Sequence, residues 1–196
     1  MMIVMKNPWY RKWFPLPPPP VTPCAAGEDS ADAQFSQGLR YASEGALQDY
    51  AQAAAWYRKA ADQGHSLAQF NLGVMYAQGQ GLARDEAQSV VWFDKAARRG
   101  DGAAQFNLGK SCHRASLDKT SGPARESRTE AYVWFQLAAA QGYQGSDAAR
   151  TTLILTMTRE EVAEGNRRAA SLKIEEPIYG PGAVILSVIP AKKLAW

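Results

Sequence analysis

One short pattern recurs along the chain, and this repeat constrains the fold more than any other feature. An Ala-Gln-Phe triplet begins at Ala33, Ala68 and Ala104, so the first two periods are 35 and 36 residues. An aromatic pair follows each triplet, at Trp56-Tyr57, Trp92-Phe93 and Trp134-Phe135. A period of this length fits one helical hairpin and is too short for an independent domain. The sequence therefore predicts an array of stacked helical hairpins.

The second helix of each predicted hairpin carries three markers at fixed distances. A polar N-cap is followed seven residues later by a tryptophan and eight residues after that by a glycine. The three sets are Asp49, Trp56 and Gly64; Asp85, Trp92 and Gly100; and Ser127, Trp134 and Gly142. Asp and Ser side chains accept hydrogen bonds from the free N–H groups that start a helix, and glycine adopts the left-handed conformation that ends one. Such a set predicts both ends of each second helix.

The central copy shows the expected helix boundaries most clearly. Its first helix is predicted to begin near Ser66 and to end at Gly79 and Gly81. The apolar positions of this helix are Phe70, Leu72, Met75 and Tyr76. The caps also resemble capping boxes, because a Gln or Glu stands three residues after each one, at Gln52, Gln88 and Glu130.

A glycine lies inside each predicted first helix, five residues after the first alanine of the triplet. These glycines are Gly38, Gly73 and Gly109. Glycine in a helix interior costs roughly 1 kcal/mol relative to alanine. Three such glycines in register predict that the two helices of each hairpin cross closely. The alanine doublets of the second helices are expected to supply the small neighbours, at Ala60-Ala61, Ala96-Ala97 and Ala138-Ala139.

The third copy is longer than the others, and a fourth, degenerate hairpin follows it. About six additional residues are expected in an exposed loop at Leu117–Glu126. The fourth hairpin is predicted as a helix over Ser146–Met157, with Ala148, Leu153 and Leu155 facing inward. A second helix begins after a capping box of Thr158 and Glu161 and ends near Lys173. Gly165 replaces the tryptophan of the earlier copies. A last repeat with no successor is expected to be polar on its outer side.

The two ends of the chain differ from the repeats in composition. Residues 1–30 are rich in proline and are predicted to form an extended, disordered leader. Two other interpretations remain open: a degenerate export signal within residues 1–26, and a proline-motif ligand at Lys12, Pro15 and Pro18. We expect a cytoplasmic protein, or a periplasmic or secreted one if the signal is used. The tail, 174–196, contains a β-prone run at 183–189 that is too short to span a membrane.

The repeat closely resembles the Sel-one-like repeat family, a tetratricopeptide-related group. The matching residues of the central copy are Ala68, Leu72, Gly73 and Tyr76, then Gly79, Gly81, Leu82 and Asp85, and finally Trp92, Lys95, Ala96, Ala97 and Gly100. The resemblance covers about residues 31–173. It implies an all-α, right-handed α-solenoid of about four antiparallel hairpins and eight helices. The repeats are expected at about 31–66, 67–102 and 103–145, with a closing hairpin at 146–173.

The resemblance implies an adaptor or scaffold that binds a partner protein or peptide. In tetratricopeptide-type arrays the first helices line the concave face, which places Asn71 and Asn107 at equivalent positions of a groove. Lys110 and Arg114 continue the stripe of Asn107. This basic patch is suited to an acidic peptide, because cations bind carboxylates through charge-assisted hydrogen bonds.

Composition argues against other classes of function. The net charge of +3 comes from Lys6, Arg11 and Lys12, so the remaining chain is neutral and lacks the basic stripe of a nucleic-acid binder. An RNA-binding hairpin array is the first alternative, and a small hydrolase is the second. His65 and His113 are the only near-neutral bases, and Cys112 and His113 diverge on a helix. We expect no catalysis, no cofactor, no metal and a monomer.

Overall fold

The computed structural model describes residues 29–43, 48–118, 124–172 and 174. Regular secondary structure in these ranges is entirely helical, as predicted. The eight helices are α1 (Ala31–Ala42), α2 (Tyr50–Asp62), α3 (Ser66–Gln78), α4 (Glu86–Arg98), α5 (Gly102–Leu117), α6 (Ala124–Ala140), α7 (Ser146–Ile154) and α8 (Arg159–Ser171). No helix within them is both long enough and apolar enough to cross a bilayer. Residues 1–28 of the predicted leader and the tail beyond Ile174 lie outside the described residues.

The helices stack in chain order. We call the pairs α1–α2, α3–α4 and α5–α6 hairpin 1, hairpin 2 and hairpin 3. The two helices of each hairpin pack on each other, while α2 packs on α3 and α4 packs on α5. Each second helix therefore lies between its own first helix and the first helix of the next hairpin. This serial packing is that of an α-solenoid.

The second helices of the three hairpins end in the same way. Gly64, the residue after the cap of α2, has a φ of 88°. Its N–H group donates to the carbonyl oxygen of Ala61, and the N–H group of His65 donates to that of Ala60. These two bonds form a Schellman motif. The same pair of bonds ends α4 at Gly100 and α6 at Gly142. The predicted stop signals are confirmed, and each one turns the chain directly into the next hairpin.

Two of the predicted N-caps of second helices are correct and one is wrong. The Asp49 carboxylate accepts the N–H groups of Ala51 and Gln52, and the Asp85 carboxylate accepts that of Gln88. Ser127 is not a cap, because α6 begins three residues earlier, at Ala124. The helical residues that precede Ser127 are strongly polar, and their role becomes visible only in their contacts with α8.

The predicted loop in hairpin 3 is shorter than expected because both flanking helices are extended. Helix α5 has 16 residues and α6 has 17, against 13 in each helix of hairpin 2. Leu117 and Glu126, which bounded the predicted loop, both lie in helices. The additional residues therefore lengthen the hairpin at its open end, and the added turn of α6 becomes a docking surface for α8.

The helix-interior glycines receive an aromatic ring from the second helix. A Cβ atom placed on Gly73 would lie 2.8 Å from Cδ1 and Cε1 of Phe93. Gly38 meets the Tyr57 ring in the same way, and Gly109 meets the ring of Phe135. The expected small neighbours were the alanine doublets, and that expectation is wrong, because the ring fills the space left by the missing Cβ. The doublets instead supply the carbonyl oxygens of the Schellman motifs, and all of their residues except the half-buried Ala139 lie in the core.

The tryptophans join successive hairpins. Trp92 is 3% exposed and belongs to an apolar cluster with residues of hairpin 1, including Tyr57. Trp134 is also 3% exposed and belongs to the cluster that contains Phe70 and Phe93 of hairpin 2. Trp56 is only half-buried, since no hairpin precedes it within the described residues. In hairpins 2 and 3 the tryptophan thus packs on the preceding hairpin. In all three hairpins the second aromatic ring packs on the glycine of its own hairpin.

The last two helices both pack on α6. Helix α7 ends at Ile154, before the predicted Met157, and therefore places side chains differently from the prediction. Leu153 is buried as expected, but Ala148 is exposed and Leu155 is 83% exposed, so both inward assignments are wrong. The capping box of Thr158 and Glu161 is confirmed.

Helix α8 docks on α6 through one close contact and several ion pairs. A Cβ atom on Gly165 would lie 2.4 Å from the Tyr132 ring, so the two helices approach closely at that point. Arg128 of α6 binds the buried Glu161 at 2.7 Å. Further pairs join Arg125 to Glu160 and Arg168 to Glu126. The polar first turn of α6 therefore serves to hold the closing helix.

Candidate functional site

The predicted groove residues lie at equivalent positions of successive first helices. Ser36 of α1, Asn71 of α3 and Asn107 of α5 share one register, and Lys110 and Arg114 continue it along α5. We call this surface the first-helix face. Lys110 and Arg114 are exposed, whereas Asn71 and Asn107 are half-buried. The structure therefore places the four residues in register on α3 and α5, with the charged pair open to solvent.

The two asparagines also make contacts inside the array. The Asn107 amide donates to the carbonyl oxygen of Ala103 at 2.9 Å. Asn71 shares a hydrogen bond with the hydroxyl of Tyr57. Burial raises the pKa of Tyr57, and the bond with Asn71 offsets part of this rise. An amide has two donor hydrogens and a carbonyl oxygen with two lone pairs, so one such bond leaves each side chain capacity for a ligand.

The two cations of the first-helix face differ in their surroundings. Arg114 forms an ion pair with Glu86 in the first turn of α4, and both side chains are about half exposed. The Lys110 ammonium lies 5.9 Å from the centre of the Phe106 ring, at the outer limit of a cation–π contact. A carboxylate that reached this face would meet Lys110 directly and would compete with Glu86 for Arg114.

The first helices begin at three chemically different caps. The side chains of Ser30, His65 and Asp101 accept an N–H group at the start of α1, α3 and α5 respectively. His65 does so through Nδ1, and its Nε2 lies 3.2 Å from Asp32. Burial lowers the pKa of His65, and Asp32 partly opposes this effect. Burial raises the pKa of Asp101 to about 6, although its backbone hydrogen bonds act in the opposite direction. The sequence predicted the start of α3 near Ser66 but identified none of these three caps.

A set of buried glutamines is the main feature that sequence reasoning missed. Gln69 and Gln105, the middle residues of their triplets, donate to the carbonyl oxygens of Ala61 and Ala97 in the preceding hairpin, at 3.0 and 3.1 Å. Gln105 also accepts a bond of 2.8 Å from Gln141, at the end of its own hairpin. Gln34 accepts one of 2.8 Å from Gln63 in the same way. The recurring triplet was visible, but a buried glutamine can be interpreted only when its partners are known.

The surroundings of Cys112 and His65 disfavour catalytic roles for these two side chains. Cys112 is half-buried, and burial raises the pKa of its thiol to about 12, which disfavours the nucleophilic thiolate. His65 is engaged as a cap. Within the described ranges no group of three or more His, Cys, Asp and Glu side chains is placed to hold a metal ion.

Comparison with known proteins agrees with this architecture. The model of the family described as "Sel1 repeat" matches residues 31–65, 66–101 and 102–143, together more than half of the chain. The chain belongs to the Sel1 repeat family. A comparison with curated proteins gave no match. Sel1 repeat proteins are generally protein-interaction scaffolds.

Two solved structures show the same Sel1-type fold. One is a protective antigen present in uropathogenic Escherichia coli strains that displays an SLR fold, with 29% identity and a TM-score of 0.63. That match covers 72% of this chain but only 29% of the antigen. The second is a Sel1 repeat protein from Oxalobacter formigenes, with 32% identity and a TM-score of 0.55; the match covers 64% of this chain and 90% of that protein.

Proposed function

We propose that this protein is an interaction scaffold that binds an acidic peptide or protein segment on the concave, first-helix face. The observation that carries the proposal is the exposed pair Lys110 and Arg114, which continues the register of Asn71 and Asn107. Cations beside amides of this kind bind carboxylates and the peptide backbone of an extended ligand. Membership of a family of protein-interaction scaffolds supports the same assignment.

The opposite sides of these helices are already used for packing. Leu72, Gly73 and Met75 of α3 are buried, as are Leu108 and Gly109 of α5. A partner that binds the first helices therefore contacts the polar register. Glu86 adds selectivity, because a ligand carboxylate has to displace it from Arg114. Binding is accordingly expected to weaken as the salt concentration rises.

The test is a double charge reversal, Lys110→Glu with Arg114→Glu. Capture of acidic peptides by the full chain should be lost, because the two new carboxylates and that of Glu86 together repel the ligand. Arg84→Glu, a reversal at an exposed loop residue outside this face, is the matched control and should leave capture intact. Unaltered capture by the double variant would contradict the proposal.

A further inference from the structure

A small pocket lies where the end of α8 meets α4 and α6, and we call it the α8 pocket. Its volume is about 220 Å³, which corresponds to about seven water molecules in the liquid. Sites for drug-sized ligands measure roughly 300–1,000 Å³, so this pocket has room for little more than one amino-acid residue. Its lining includes Arg98 of α4, then Glu130, Val133 and Trp134 of α6, and Ser171 and Leu172 at the end of α8.

The floor of the α8 pocket is apolar. Val133 and Trp134 are each 3% exposed, and the half-buried Leu172 adds a wall from α8. Arg168, which also lines the pocket, holds this wall in place, because its guanidinium forms an ion pair with Glu126 of α6. The apolar surface is therefore shaped by contacts between α6 and α8.

The preceding second helix, α4, offers a comparison within the same chain. The residue of α4 that is equivalent to Val133 is Val91, and it is 46% exposed. Val133 is buried because α8 packs on α6. The residue equivalent to Arg98 in hairpin 1 is the acidic Asp62. A covered apolar floor beside a cation therefore distinguishes the α8 pocket from the same surface of the preceding hairpins.

Arg98 is the cation that a ligand in this pocket can reach. Its Nε group donates to Asp94 at 2.8 Å, and its side chain is 56% exposed. A guanidinium carries five N–H donors in a planar fork, so its terminal nitrogens can bind a further carboxylate. The hydrogen bond to Asp94 raises the pKa of Arg98, and the nearby carboxylate of the exposed Glu130 also raises it. The mouth thus presents donors for a carboxylate close to an acceptor for an N–H group.

We propose that the α8 pocket binds an apolar amino-acid residue that carries a free carboxylate. The side chain of this residue packs on Val133 and Trp134, since burial of apolar surface favours binding. The carboxylate pairs with Arg98 through charge-assisted hydrogen bonds, and the adjoining amide N–H group donates to Glu130. A polypeptide C-terminus and a free N-acylated amino acid share this chemistry. The site is separate from the first-helix face, and it does not rest on the function proposed for that face.

Nuclear magnetic resonance titration of the full chain tests this assignment with four small probes. N-acetyl-leucine carries all three features, and it should shift the amide resonances of Val133, Trp134 and Leu172 in a saturable way. N-acetyl-leucinamide lacks the carboxylate, N-acetylglycine lacks the apolar side chain, and 4-methylpentanoate lacks the N–H group. Each of these three should bind more weakly than N-acetyl-leucine.

A longer probe distinguishes the two sources of the carboxylate. N-acetyl-triglycyl-leucine presents the same leucine at the end of a peptide chain. Tighter binding of this peptide than of N-acetyl-leucine would identify a polypeptide C-terminus as the ligand. Equal or weaker binding would identify a single acylated amino acid.

Two variants with matched controls test the lining residues. Arg98→Gln should weaken binding of N-acetyl-leucine by about tenfold, as expected for the loss of one charge-assisted bond. Arg84→Gln removes an exposed cation outside the pocket and should not weaken it. Ser171→Phe adds a ring at an exposed position of the lining and should abolish binding. Ser36→Phe adds the same ring to an exposed position of α1 and should leave binding intact.

Several results would overturn the assignment. These are the absence of saturable shifts with N-acetyl-leucine, equal binding of N-acetyl-leucinamide or N-acetylglycine, full affinity in Arg98→Gln, or an equal loss in Arg84→Gln. Should Arg98→Gln fail to fold, the comparison of Ser171→Phe with Ser36→Phe decides in its place.

Discussion

Gly73 and Phe93 occupy complementary spaces, since a single methyl group on the glycine would lie 2.8 Å from two ring carbons of the phenylalanine. The same pairing of glycine and ring recurs in hairpins 1 and 3. Because a ring carbon at that distance has to move, the helices of the hairpin cannot keep their present separation once a side chain is added. The separation of the two helices thus depends on the absence of a Cβ atom at Gly73.

We predict that Gly73→Leu destabilises the protein by roughly 1–3 kcal/mol or more, since it overpacks this crossing. Gly73→Ala should also destabilise it, despite the higher helix propensity of alanine. The free energy of unfolding in denaturant measures both effects. The control is the double variant Gly73→Ala with Phe93→Leu, in which the smaller side chain relieves the clash. Strictly additive effects of the two changes, or an unchanged melting temperature of Gly73→Leu, would contradict the packing account.

Equivalent tryptophans should differ in their contribution to stability. Trp92→Ala is expected to cost roughly 3–5 kcal/mol, as is usual for a buried tryptophan. Trp56→Ala should cost clearly less, because Trp56 is half-buried and Trp92 is 3% exposed. Chemical denaturation of the two variants measures the difference, and each serves as the control of the other. Equal losses would show that the tryptophans do not act mainly between hairpins.

The ion pair between Arg128 and Glu161 should hold α8 in place. Glu161 is buried, and Arg128 and the Thr158 N–H group both bind its carboxylate. Arg128→Met is expected to destabilise by roughly 1–3 kcal/mol, because it removes one partner from a buried charge. Hydrogen exchange should accelerate in α8 more than in α3. Arg125→Met is the matched control, since the pair of Arg125 and Glu160 is exposed and contributes little.

The same carboxylate predicts a loss of stability in acid. Burial would raise the pKa of Glu161, but the Thr158 N–H group and Arg128 hold it below its ordinary value. A carboxyl group with a lowered pKa stabilises the folded state above its unfolded pKa of 4.5, and this contribution disappears as the pH falls through the folded value. Hydrogen exchange in α8 at decreasing pH measures the effect. Glu161→Gln should remove this part of the acid sensitivity, and an unchanged pH profile in that variant would contradict it.

Asp101 should change the stability with pH in the direction opposite to Glu161. Its pKa is raised from 3.8 to about 6, so its protonated form favours folding. The resulting stability is complete below pH 3.8 and is lost as the pH rises through about 6, a change of at most about 3 kcal/mol. Asn is an equally good N-cap and carries no charge. The melting temperature of Asp101→Asn, relative to that of the unaltered protein, should therefore rise between pH 4 and 6. A difference in melting temperature that stays constant over this pH range would contradict the raised pKa of Asp101.

Much of the fold could be predicted from the sequence because its signals are local. Asp49, Asp85 and Gly64 act on N–H and carbonyl groups within a few residues, so spacing alone located them. The N-cap prediction at Ser127 was wrong because α6 starts earlier. The residues that extend α6 at its start make contacts with α8, which lies far along the chain. The prediction that Leu155 faces inward was wrong because α7 ends one residue before it. Errors thus arose where tertiary contacts decide the boundary.

At the candidate sites, too, the sequence did not predict the contacts between helices. The register of Asn71, Asn107, Lys110 and Arg114 followed from the repeat. The pairing of Arg114 with Glu86 did not, because it joins helices whose spacing the sequence does not specify. The unpartnered Oε1 of Gln69 could not be predicted either, because Gln63 and Gln141 donate to the triplet glutamines of hairpins 1 and 3, while the equivalent bond is missing in hairpin 2.

The location of Trp92 has a consequence for synthesis on the ribosome. This side chain completes the apolar cluster of a hairpin that ends at Asp62, so hairpin 1 remains incomplete until the middle of α4 has emerged. Trp134 imposes the same delay on hairpin 2. Newly made protein should therefore gain resistance to proteolysis in steps, each trailing the last residue of a hairpin by about one further helix.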